Sequence, residues 1–82
     1  MKKILYFSST WCNPCRSFRP IMEQVSREIP VEFIDIDANP QLVAEYGIRS
    51  VPTIVVLNNG QVASKQAGVL TESQIKSLWS QN

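Results

Sequence analysis

One arrangement narrows the possible folds more than any other: the apolar stripe between two strand-like runs. Ile4-Leu5-Tyr6-Phe7 is a continuous apolar run, and Val31-Glu32-Phe33-Ile34-Asp35-Ile36 is a second segment rich in β-branched and aromatic residues. The continuous run of Ile4 to Phe7 fits a strand buried on both faces and reads as a central strand, and Val31 to Ile36 reads as a second strand. Between them Phe18, Ile21, Met22, Val25 and Ile29 recur at steps of three and four, the stripe of an amphipathic helix. The spacing predicts a helix over Cys12 to Glu28, with a kink expected at Pro20, which lacks a backbone donor and crowds the preceding turn. Strand, helix, strand in this order implies a right-handed parallel crossover.

The remainder extends the pattern. Asn39-Pro40 marks a turn into a short helical stretch ending near Gly47. Thr53 to Leu57 is a further β-branched run, Asn58-Asn59-Gly60 supplies turn chemistry, and Gln61 to Ala67 returns as the partner strand of a hairpin. Gly68 ends that strand, and Thr71 with Glu72 opens a last helix whose Ile75, Leu78 and Trp79 form a narrow apolar face. The expected architecture is α/β, in the order βαβαββα, with helices on both faces of a four-stranded mixed sheet. With 82 residues, no repeat and no linker, residues 1–82 are expected to form one domain around one core.

Charge and cysteine usage exclude several classes of function. Eight Lys and Arg against seven Asp and Glu leave a formal charge of +1, with no basic patch to attract a phosphate backbone. No nucleic-acid ligand is expected. The basic tip Met1-Lys2-Lys3 precedes an apolar run that ends at Ser8, short of the roughly 7–15 residues of a signal-peptide core. No segment approaches the roughly 20 apolar residues that span a bilayer, so neither membrane association nor export is expected and the default location is cytoplasmic. Cys12 and Cys15, the two cysteines, are too few and too close to staple a secreted mini-protein. With no His in the chain, two thiolates supply half of a tetrahedral zinc shell, and no metal or other cofactor is expected.

The chemistry concentrates in Ser9-Thr10-Trp11-Cys12-Asn13-Pro14-Cys15, at the junction of the first strand and first helix. Free N–H groups and partial positive charge at a helix start stabilise a thiolate over a thiol, so Cys12 is placed for a lowered pKa in its nucleophilic form. Pro14 falls in the opening turn, where its missing N–H costs little, and Cys15 lies one turn on, within disulfide reach. The arrangement suggests that Cys12 attacks a substrate disulfide and Cys15 resolves the mixed disulfide, or that the reverse sequence oxidises a dithiol. A ring this small gains little from loop closure, so a structural purpose is disfavoured. Against this stand an inert cysteine pair and a metal pair. Trp11 is read either as a packing residue or as the rim of a docking surface.

These residues resemble the thioredoxin family, whose active site is Trp-Cys-Gly-Pro-Cys and whose fold has the element order above. Pro20, five residues after Cys15, matches the family's kinking proline. Tyr46-Gly47-Ile48-Arg49-Ser50-Val51-Pro52-Thr53 resembles its second signature, with Pro52 at the cis-proline position, and Asn59-Gly60 and Gly68 also fall at matching places. The resemblance, from about Ile4 to Leu78, implies a minimal thioredoxin fold with catalytic Cys12 and Cys15. It further implies a substrate surface of Trp11, Val51, Pro52 and Gly68, with Asn13 and Pro14 between the cysteines tuning the redox poise. The implied partners are disulfide-containing proteins and a thioredoxin-reductase-like electron source; the small size suggests a monomer, with an edge strand at Val31 to Ile36 leaving dimerisation open.

Three departures from the family are visible. The chain lacks the family's extra first strand and helix, so Val31 to Ile36 becomes an edge strand, which Glu32, Asp35 and Asp37 are placed to protect with charge. Asn13 stands where Gly is usual. The family's buried Asp and Lys, the former held to take the resolving cysteine's proton, are replaced by Tyr6 and Phe33, a self-consistent exchange of an ion pair for aromatic packing. Tyr6, with a reference pKa of about 10, is a poor base near neutrality; Cys15 is then expected to lose its proton to water or substrate, with Tyr6 at most orienting a water. Asp35 and Asp37 are read as solvent-facing charges rather than as a base, and Trp79 as packing. Two rival functions remain: a glutaredoxin-like glutathione-dependent reductase, against which Gly68-Val69-Leu70-Thr71 lacks the Gly-Gly and Asp pattern, and a non-enzymatic thioredoxin-fold subunit of a larger complex.

Overall fold

The computed structural model describes residues 1–81. Its elements are β1 (Lys2–Ser8), α1 (Asn13–Val25), β2 (Val31–Asp35), α2 (Pro40–Glu45), β3 (Thr53–Asn58), β4 (Gln61–Ala67) and α3 (Glu72–Gln81), the expected order. The sheet runs β2-β1-β3-β4. β1 pairs in parallel with β2 and antiparallel with β3, and β3 pairs antiparallel with β4. The two central strands are those whose apolar runs are continuous: Ile4 to Phe7 and Ile54 to Leu57 are all buried, because a strand covered on both faces has no polar side.

Alternation along β1 sorts the core into two layers. Ile4 and Tyr6 face α1 and α3, packing with Phe18, Met22, Val25, Ile54, Val56 and Ile75. Leu5 and Phe7 face the other way, with Ile34, Val55 and Leu57, under Leu42, Tyr46, Ile48 and Val51 from α2 and the loop after it. β2 is an edge strand, as expected, and its exposed Glu32 pairs with Lys3 at 2.8 Å. Trp79 packs on the first layer.

α1 ends at Val25, earlier than the stripe suggests. Pro30 supplies the reason: it lacks a donor and pushes the residue before it toward extended backbone. Residues 26–29 continue as turns, with the Ile29 N–H on the Val25 carbonyl at 2.9 Å, so Ile29 still reaches the core although it lies beyond the helix. α1 runs unbroken through Pro20. In the hairpin Asn59 and Gly60 have φ of 54° and 82°, the two left-handed positions of a two-residue type I′ turn. Thr71 and Gln74 form a reciprocal cap at the start of α3: the Gln74 N–H donates to Thr71 Oγ1 at 3.1 Å and the Thr71 N–H to Gln74 Oε1 at 2.9 Å. A Thr71→Ala protein is expected to lose about 1 kcal/mol of stability, read as a lower urea midpoint with an unchanged slope.

Candidate active site

The β1–α1 junction holds the cysteines as the sequence suggests, with Cys12 as the N-cap of α1 rather than its first residue. Its backbone is extended (φ −94°, ψ 112°), and its Sγ accepts the Cys15 N–H at 3.2 Å. A sulfur in this position satisfies one free donor of the helix and sits at the positive end of its dipole. No acidic side chain in the first turn offsets that field. Both effects favour negative charge on Cys12 once the pair is reduced. Pro14 occupies the opening turn. Cys12 and Cys15 form a disulfide, with Cα atoms 5.2 Å apart, inside the ordinary range. Cys12 is 5 % and Cys15 3 % exposed, while Asn13 and Pro14 between them are open to solvent.

A second loop meets the disulfide from across the sheet. The Val51 carbonyl oxygen lies 3.7 Å from Cys12 Sγ, and the Val51–Pro52 peptide bond is cis, as the resemblance implies. Pro52 is buried, and its carbonyl accepts the Gly68 N–H at 2.8 Å. Gly68, with φ +93°, thus reaches the site through Pro52 and does not itself line the groove beside Cys12. That groove, about 500 Å³, is bounded by Trp11, Asn13 and Pro14 on one side and by Ile48, Arg49 and Val51 on the other. Its size and largely apolar walls suit a segment of another chain laid across the disulfide.

Trp11 is 64 % exposed, which rules out core packing and leaves it on the rim. Its indole N–H donates to Asp37 Oδ2 at 3.0 Å. In the sequence Asp37 is legible only as an edge charge, because a contact between residues 26 apart leaves no local signal. Its carboxylate orients the indole next to the disulfide.

Behind Cys15 the aromatic replacement is complete. The Tyr6 ring packs edge-to-face on Phe18 and on Phe33, at centroid distances of 5.7 and 5.5 Å. Its hydroxyl donates to the Cys15 carbonyl at 3.2 Å. Burial raises the Tyr6 pKa, outweighing the Ser8 hydrogen bond and the Arg19 charge that lower it. Tyr6 therefore stays protonated near neutrality and is a tether for Cys15, not a base. Asp35 is half-buried and, with Tyr6, Ser9 and Cys15, lines a second cavity of about 420 Å³ on this side.

Among the described residues no group of three or more His, Cys, Asp and Glu side chains is placed to hold a metal ion, and no helix is long and apolar enough to cross a membrane.

Comparison with known proteins agrees with the geometry. The family model described as Thioredoxin matches residues 1–81. A thioredoxin of Buchnera aphidicola is 34 % identical over 80 residues, covering 93 % of this chain and 74 % of that one. A thioredoxin of Rhodospirillum rubrum is 36 % identical over 73 residues, covering 84 % and 70 %. Among solved structures, a singly substituted thioredoxin from Halobacterium salinarum superposes with a TM-score of 0.88 at 32 % identity, over 94 % of this chain and 70 % of that one. A buried Cys-X-X-Cys disulfide at a helix N-terminus beside a cis-proline loop, on this sheet and with these relatives, places the chain in the thioredoxin family of dithiol-disulfide oxidoreductases.

Proposed function

We propose that the protein is a thioredoxin-type protein disulfide reductase acting through residues 1–82 as one unit, as a monomer in the cytoplasm. The observation that carries this reading is the position of Cys12 Sγ, at the start of α1 and 3.7 Å from the Val51 carbonyl at the edge of a groove. In the reduced protein the Cys12 thiolate attacks one sulfur of a substrate disulfide. A bond forms between Cys12 Sγ and that sulfur, and the other substrate sulfur leaves as a thiolate and is protonated. Cys15 then gives up its proton and attacks Cys12 Sγ, closing the Cys12–Cys15 disulfide and releasing the second substrate thiolate. Two electrons pass from protein to substrate, and an external reductase restores the dithiol.

Trp11 and Val51 form the contact surface in this reading. Val51 offers backbone to an extended substrate segment, and Pro52, braced by Gly68, holds Val51 in place. Asn13 and Pro14 set the poise of the intervening turn.

The test is insulin disulfide reduction with two electron sources. NADPH with thioredoxin reductase is expected to support turnover, and glutathione with glutathione reductase to support little. Turnover with glutathione alone would replace this reading by the glutaredoxin-like one. Turnover with neither would favour the non-enzymatic subunit.

A further inference from the structure

Resolution requires Cys15 to lose its proton, and the groove does not serve that need, since it lies against Cys12 on the other side of the α1 N-terminus. Cys15 instead adjoins the cavity of about 420 Å³ between α1 and the edge strand β2. Two features mark this space as wet. Its walls carry the Ser9 hydroxyl, the Tyr6 phenol and the Asp35 carboxylate. Ser9, 5 % exposed, has an Oγ with no hydrogen-bond partner among the described residues, and a buried hydroxyl of this kind is ordinarily satisfied by water. The volume holds several waters.

The ionisable proton acceptors lining the cavity reduce to one. The Tyr6 hydroxyl gives its hydrogen to the Cys15 carbonyl and resists ionisation. Arg16 and Arg19, from α1, are cations without acceptor capacity. Arg16 is engaged with the Thr10 carbonyl at 3.2 Å and Arg19 with Glu23 at 3.3 Å. Asp37, from the loop after β2, holds Trp11 on the groove side. Asp35 remains: its Oδ1 accepts the Asp37 N–H at 2.9 Å, and the residue lines the cavity.

We propose that Asp35 is the general base of the resolving step, receiving the Cys15 proton through water in this cavity, with Ser9 Oγ anchoring that water. The inference rests on the reductase reading above. A carboxylate is a much weaker base than a thiolate, so the transfer accompanies attack: as the Cys15–Cys12 bond forms, the Cys15 proton passes to water and from it to Asp35, while the Cys12–substrate bond breaks and its electron pair leaves on the substrate sulfur. Protonated Asp35 then returns the proton to solvent. Cys12, held as a mixed disulfide during this step, carries no charge of its own.

The reduced protein mixed with a nitrobenzoate disulfide in a stopped-flow instrument releases one coloured thiolate when Cys12 attacks and a second when Cys15 resolves. Because that leaving group needs no proton, the second burst reads the fate of the Cys15 proton, and the first serves as an internal control. In Asp35→Asn the side-chain carbonyl still accepts the Asp37 N–H, but the base is gone. The second burst is expected to slow at least about tenfold near pH 6 and to converge with the parent rate toward pH 9, where hydroxide takes over. Ser9→Ala is expected to slow it about threefold with the same pH dependence. Asp35→Asn and Ser9→Ala proteins whose second bursts match the parent across this range, or a slowing that is the same at every pH, would overturn the assignment while leaving the reductase reading intact. Absence of a second burst in the parent protein would overturn the reductase reading itself.

Discussion

Replacing Cys12 by Ser is expected to reduce insulin disulfide reduction at least about 10³-fold, whereas Cys15→Ser stops turnover but leaves the first attack in place. The asymmetry follows from where α1 puts each sulfur. Cys12 caps the helix, accepts the Cys15 N–H at 3.2 Å and borders the groove. It is thus the sulfur that the helix field stabilises as a thiolate and that a substrate can reach. A serine hydroxyl at the same place ionises far too weakly to substitute as a nucleophile near neutrality. Cys15, 3 % exposed and tethered through its carbonyl by Tyr6, meets only the sulfur of Cys12. With Ser at position 15 the mixed disulfide has no internal exit and accumulates. Mass spectrometry should then find substrate attached to Cys12 in the Cys15→Ser protein and none in Cys12→Ser. The opposite pattern would exchange the two roles.

Phe18→Ala is expected to destabilise the protein by about 3–5 kcal/mol. Phe18 has no exposed surface and lies between the Tyr6 ring and the apolar layer under α1. Its removal leaves a void that the central strand cannot move to fill, because β1 is paired on both sides. For 82 residues total stability is on the order of 4–12 kcal/mol, so the loss consumes a large share. The melting temperature should fall by roughly 15–30 °C, measured on the oxidised protein. The void would also loosen Tyr6 and with it the tether on Cys15. A fall of only a few degrees would mean that α1 is held mainly by other contacts.

What is legible in the sequence, and what is not, divides along the range of the interactions. Element order and the central place of β1 follow from runs and stripes within a few residues of one another, the β2 edge follows from the family resemblance, and all are in the structure. The type I′ turn at Asn59-Gly60 and the placement of both cysteines at the α1 start are equally local. The apolar period overruns the end of α1 because Ile29 keeps the stripe while Pro30 has already forced the chain out of the helix. The Trp11–Asp37 hydrogen bond joins separate elements and has no sequence signature. Asp35 is legible only as a charge for a related reason. An acid near the end of an edge strand reads as a surface charge, and only the fold shows it beside the cavity next to Cys15. Ser9 gives no signal at all: a small polar residue before a loop is ordinary, and its unpartnered hydroxyl becomes visible only once the walls around it are known.

Whether Cys12 and Cys15 form a reversible redox couple is read from the equilibrium between the reduced and oxidised protein across graded dithiol-disulfide buffers. Trp11, next to Cys12 on the groove, supplies the fluorescence signal. A reversible two-electron transition is expected in the range typical of thioredoxins, about −270 mV, lost in both Cys12→Ser and Cys15→Ser. No reversible transition, or a fluorescence change that survives in Cys12→Ser, would mean that Cys12 and Cys15 are not the redox couple.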